Sequence, residues 1–255
     1  MSSATSVHPP AQTERRDRTK QYKVNNDILK GFTTTAQVEK FWSHQTQTYA
    51  RELTLAHAMA HDDLAGADPV GVVTRAWHKG AYPIVELFRD SLRQLGYDVN
   101  TRAAPSTLAG MTLECFDKQL RKCLVKFNGM RVALSGSALG KCCKYMGDLH
   151  RYQADYRICE SGKAWGRALD CYRKACMADL HDGKLYHLIS LLYRSRSLLL
   201  SFYYACRALS VASPFMPSRE SALVCFGESE KVLRDRISRL GYPHMDFPDG
   251  RIPNW

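Results

Sequence analysis

Lys144, Asp148 and Arg151 follow one another at intervals of four and three, and Tyr152 is next to the last of them. On an α-helix this spacing puts the three charges on one face, because residues three and four apart stand one above the other. A lysine, a forked guanidinium and a phenolic hydroxyl converging there could hold an anion with several acceptor oxygens. A phosphate group, with close to two negative charges, is one ligand such a set would suit. The same residues could equally make a solvated face with an Asp148–Arg151 ion pair. No H-E-x-x-H, Walker-type loop or G-x-S-x-G occurs, so a binding protein is expected rather than an enzyme. The nine cysteines are odd in number and irregularly spaced, without a C-x-x-C. Reduced, buried thiols are the expectation, with no metal site and no cofactor.

The 255 residues carry a net charge of +11, with a pI near 9.3. That excess implies an anionic partner, and by sign alone RNA, DNA, a phosphoprotein and a membrane surface all qualify. Arg15, Arg16, Arg18, Lys20 and Lys23 concentrate part of it in a polar N-terminal stretch. No run of about 18 apolar residues could span a bilayer, and the N-terminus has no apolar signal region. A soluble, cytoplasmic protein that does not enter the membrane is expected, with shuttling to the nucleus left open.

Positioning those charges falls to helices. Residues 1 to about 24 lack periodicity and are expected to form a disordered basic tail. After a capping-type Thr35 with Glu39 nearby, Val38, Phe41, Trp42, Tyr49, Leu53 and Ala56 recur at helical spacing to about residue 61. A second helix covers about 70–95, with Pro83 as a kink candidate and Gly96 where a left-handed cap would end it. The stretch up to Gly110 reads as loop, and a third helix as about 113–134. Helices at about 138–159, 163–180, 184–194, 197–212 and 217–240 follow, and no segment alternates with period two. The fold class is all-α, with a helical domain over 25–245 and a C-terminal extension at 246–255.

Within it, Ala168, Tyr172 and Ala175 fit the second helix of a tetratricopeptide hairpin, and Tyr186, Ile189, Ser190 and Tyr193 the first helix of the next. The following helix, FYYACRALSVA, falls about one turn late, so the repeats are degenerate. Two longer strings are more specific. MGDLHRYQADY (146–156) resembles the "LGD-apolar-ARYR" helix of the nonsense-mediated mRNA decay adaptor family, also called the ever-shorter-telomere family. The stretch 186–223 resembles that family's "YNQLA…YYYxRSLA…PFxxAxENL" segment through Tyr186, Phe202-Tyr203-Tyr204, Arg207, Leu209, Pro214-Phe215 and Leu223.

The resemblance implies a 14-3-3-like antiparallel helical array with a phosphopeptide groove. It implies an adaptor that docks on the phosphorylated up-frameshift RNA helicase and pairs with a paralogous 14-3-3-like decay adaptor. Arg151 and Tyr152 match the residues that grip phosphate in such a helix, and Lys144 matches a lysine one face-turn earlier. ELFRDSLRQL (86–95) resembles the family's "LWxxAFKxxI", which puts a second cation at Arg93, with Arg89 as the competing register. The family's Asn in "YNQLA", placed to hold the peptide backbone, is His187 here. The small Ala and second Arg of "ARYR" are His150 and Gln153, departures expected to weaken phosphopeptide binding or leave a dimerisation module. A basic helical domain binding RNA or telomeric DNA is the alternative. Against it, Phe202, Tyr203 and Tyr204 read as core rather than a stacking platform.

Overall fold

A computed structural model describes residues 28–61, 68–99, 106–156 and 161–227. The expected basic tail, the C-terminal extension and the last helix beyond 227 lie outside the described residues. The chain divides into two compact units that meet between Ala178 and Asp179. Every regular element among the described residues is helical, apart from one isolated bridge between Asp182 and Ser213.

In the first unit, α1 (Thr35–His61) starts at the residue expected to cap it, and the cap is Thr34, one residue earlier. Thr34 Oγ1 accepts from the Gln37 backbone N–H (3.3 Å), and Gln37 Oε1 accepts from the Thr34 N–H (3.1 Å). That reciprocal box needs Thr and Gln three apart, which Thr34–Gln37 supplies. Glu39 instead pairs with Lys118. Trp42 is fully buried and lies 4.3 Å from Phe88, which stacks on Phe116 at 5.1 Å.

The second helix is continuous but not uniform. Asp68 caps α2 (Pro69–Arg75) by accepting from the Gly71 N–H at 2.8 Å. Residues Ala76–Ala81 form a π-helical segment, and α3 (Tyr82–Gln94) completes the run. The strain expected at Pro83 is taken up as this widened turn, in which the Tyr82 N–H reaches back to the Trp77 carbonyl. A proline has no N–H to offer the carbonyl four residues back, and a π turn absorbs the mismatch. Trp77 is stacked on Tyr145 at 4.7 Å. Gly96, at φ 78°, ends the helix, with Tyr97 N–H bonded to Leu92 O and Gly96 N–H to Arg93 O.

α4 (Thr107–Ala133) starts earlier than expected, because Ser106 accepts from the Ala109 N–H and caps it. α5 (Gly136–Asp155) and α6 (Ser161–Ala178) form a close hairpin. Ala168, Tyr172 and Ala175 are buried, and the Tyr172 ring lies where a Cβ on Gly147 would come within 2.6 Å.

The second unit pairs α7 (Gly183–Tyr193) with α8 (Leu198–Ser210), and residues 218–227 are again helical. Ser190 Oγ donates to the Ser201 carbonyl (2.7 Å) and Ser201 Oγ to that of Ser190 (3.0 Å). The small residues Ser201, Ala205 and Ala208 form the buried face of α8. Phe202, Tyr203 and Tyr204 are not core, contrary to expectation: Tyr203 is 51% exposed and the other two are half-buried. Small residues let two helices approach, so the large ones are left at the sides. No described helix is long and apolar enough to cross a membrane.

Candidate functional site

α5 carries the charged string, and its packing against α3 and α6 fixes where each side chain ends. Asp148 is buried and accepts a 2.7 Å hydrogen bond from the Tyr172 hydroxyl. Burial, with Asp148 beside it, raises the Tyr172 pKa well above the ordinary tyrosine value, so the hydroxyl keeps its proton and remains a donor. Arg151 lies next to this pair: Nε donates to the Tyr172 hydroxyl at 3.4 Å, and Nη2 is 3.7 Å from Asp148. Its Nη1 donates to Asp155 at 3.1 Å, and its guanidinium sits 4.6 Å from the centroid of the Tyr152 ring. Burial works against its charge, but Tyr172, Asp148, Tyr152 and Asp155 outweigh it and hold the pKa well above the usual arginine value.

The second cation at this ring is Arg89, whose guanidinium lies 5.4 Å from the centroid. Arg89 pairs with Glu86. Burial opposes its charge too, and Tyr152, Glu86 and Tyr156 together raise its pKa. Two guanidiniums from different helices thus converge on Tyr152, itself only 7% exposed. The reason is register: with Leu92 and Phe88 buried, Arg89 takes the edge of the apolar stripe of α3. Arg93 lies one turn on, 69% exposed and paired with Asp90 at 2.8 Å.

The other candidates stand apart from this pair. Lys144 lies two helical turns, about 10 Å, before Arg151 along the axis, with Nζ 5.1 Å from the Tyr145 ring. His187 belongs to the second unit, where Nδ1 is 3.0 Å from Ser218 Oγ and the ring 4.9 Å from Phe215. In the same unit, Arg207 sits 4.5 Å from the Tyr186 ring centroid. His150 and Gln153 have other partners: at 100° per residue they lie about 100° and 200° round α5 from Arg151, Gln153 bonded to Asp117 and His150 to Gln153. Their departure from the family string is therefore not a change in the cation cluster.

Four participants in the cluster were missed by reading the sequence: Tyr172, Tyr156, Glu86 and Asp155. Tyr172 reads as a packing aromatic, and nothing local says that its hydroxyl holds Asp148. Tyr156 and Glu86 gain their roles only when α3 meets α5. Asp155 had a local signal that could have found it, since a carboxylate four residues after an arginine can reach it.

Chemically, the cluster is a pair of partly desolvated guanidiniums whose counter-charges are the chain's own carboxylates. Asp155 is 42% exposed, and an ion pair at such exposure contributes about 1 kcal/mol or less. A dianion with three acceptor oxygens could replace it on Arg151 at little cost. Among the described residues no three of His, Cys, Asp and Glu come together as a metal would require. The eight described cysteines are free thiols, and burial pushes Cys123 up to about 12.

These features define an all-helical array of antiparallel hairpins with a two-arginine cluster in the first unit. No family model matches the chain. Among curated proteins it is similar to the telomerase-binding protein EST1A of Danio rerio, at 27% identity over 218 residues and 76% of this chain. The chain spans 14% of that relative's length. The similarity supports a relationship to the ever-shorter-telomere family, the same one that the strings in α5, α7 and α8 resemble.

Proposed function

We propose that the chain is a phosphoserine-dependent adaptor of nonsense-mediated mRNA decay rather than an enzyme. Its ligand is the phosphorylated up-frameshift RNA helicase, and it pairs with a paralogous 14-3-3-like adaptor domain in the cytoplasm. The observation that supports this reading is the convergence of Arg89 and Arg151 on Tyr152, each held by a replaceable carboxylate. A phosphoserine would displace Asp155 from Arg151 and make charge-assisted bonds to its fork, with Arg89 as the second cation.

Fluorescence anisotropy with a phosphorylated Ser-Gln peptide and its unphosphorylated twin tests this. The phosphorylated peptide should bind at least about tenfold tighter, and Arg151→Glu with Arg89→Glu should abolish the difference. Arg93→Glu should matter less. Equal affinity of the two peptides would sink the reading. Sedimentation of the chain alone and mixed with a related domain tests the pairing.

A second reading is nucleic-acid binding. It is favoured by the exposure of Tyr203 beside Arg207, by the +11 charge, and by the telomerase binding named for the relative. Tight binding of unphosphorylated RNA with a steep salt slope would select it.

A further inference from the structure

A cavity of about 730 Å³ opens on the first unit between α4, α5 and α6, on the side of α5 away from Arg151. Its apolar lining is Leu124, Val125 and Met146, and Val125 is 70% exposed. Arg121, Arg167 and Asn128 line it as well, and among the described residues no carboxylate does. The remaining wall holds His150 and Gln153, both less than a tenth exposed. These are the two positions at which MGDLHRYQADY departs from the family's string.

This wall is built rather than incidental. Gln153 Nε2 donates to Asp117 Oδ1 at 3.2 Å, and Gln153 Oε1 lies 3.0 Å from His150 Nδ1. A carboxylate only accepts, so the amide nitrogen must face Asp117 and the amide oxygen must face the imidazole. His150 therefore carries its proton on Nδ1. Arg121 pairs with the other oxygen of the same carboxylate. Asp117 is thus fully engaged by the chain itself, and the charge left facing outward is positive.

We propose that this groove is a docking site for a short acidic peptide bearing a large apolar side chain, separate from the phosphate cluster. The apolar side chain lies on Leu124, Val125 and Met146, and flanking carboxylates meet Arg167 and Arg121. The Asp117–Gln153–His150 chain holds the wall in one arrangement, so little order has to be imposed on binding. Charge complementarity selects the occupant: a cationic or neutral apolar segment would find the same floor but no partner for the arginines.

The test uses the full chain and a fluorescein-labelled peptide of sequence Glu-Asp-Leu-Phe-Asp-Glu-Leu-Glu. Saturable anisotropy is expected, weakened about tenfold or more by Val125→Asp and by Arg167→Glu. Both residues are exposed, so the variants should fold, and circular dichroism checks that they do. Lys40→Glu, an exposed cation on α1, should change the affinity less than about twofold. Three results would overturn the proposal: no saturable binding, equal binding of a twin with Ser in place of Leu and Phe, or an equal loss with Lys40→Glu. A chain that sediments as a dimer broken by Val125→Asp would also overturn it, giving the face to a second copy.

Discussion

At the scale of single residues, the hydroxyl of Tyr172 decides how Asp148 and Arg151 coexist. Asp148 is buried with a carboxylate that must be satisfied, and the guanidinium alone is too distant at 3.7 Å for a good hydrogen bond. Tyr172→Phe keeps the ring and removes that donor. It should lower stability by about 1–3 kcal/mol, read as a fall in the urea midpoint. His150 gives a pH signature. Burial pushes its pKa below the ordinary 6.5, so the unfolded chain takes up a proton that the folded one refuses. Stability is then fully present above pH 6.5 and falls as the pH drops below it. His150→Gln should flatten the loss below pH 6.5 in urea titrations, while His57, shifted the same way, retains part of it.

At the scale of elements, the α5–α6 hairpin depends on one missing side chain. A Cβ on Gly147 would come within 2.6 Å of the Tyr172 ring, which is buried and cannot move aside. Gly147→Ala should cost about 1–3 kcal/mol and weaken phosphopeptide binding at the same time, since Tyr172 positions Asp148 and Arg151. Gly166 provides the contrast within the same hairpin. It is helical with nothing within 4 Å of its would-be Cβ, so Gly166→Ala should stabilise by about 0.5–1 kcal/mol in the same urea assay. The hairpin's small and aromatic residues were legible as a pattern at spacings of four and three. The helix starts were less so. Ser106 gave no signal strong enough to compete with the proline and alanines before it, and Thr34 and Thr35 are equally good caps until Gln37 selects between them.

At the scale of the whole molecule, the charge of +11 acts on every anionic ligand, and salt separates the two proposed functions. A phosphopeptide held by two guanidiniums should lose about tenfold in affinity or less between 50 and 200 mM salt. A protein neutralising six or more phosphates of a nucleic acid should lose about a thousandfold or more. Parallel titrations with phosphopeptide and RNA therefore distinguish a local grip from a spread electrostatic footprint. If the phosphopeptide shows the steep slope, its binding is general to the basic chain, not specific to Arg89 and Arg151.

The sequence by itself determined that the chain is all-helical, that α5 presents Asp148, Arg151 and Tyr152 in register, and that its strings resemble one adaptor family. Those properties are local: periodicity, caps and i,i+4 spacing operate within a single helix. The tertiary structure alone decided which cation faces Tyr152. Arg89 and Arg93 are one turn apart on the same helix, and only the burial of Leu92 and Phe88 against α1 and α4 turns Arg89 inward while Arg93 remains in solvent. It also moved His150 and Gln153 from a presumed defect in the phosphate cluster to a separate groove. Two residues adjacent in sequence stand about 100° apart on a helix, and what each then meets depends on elements far away in the chain.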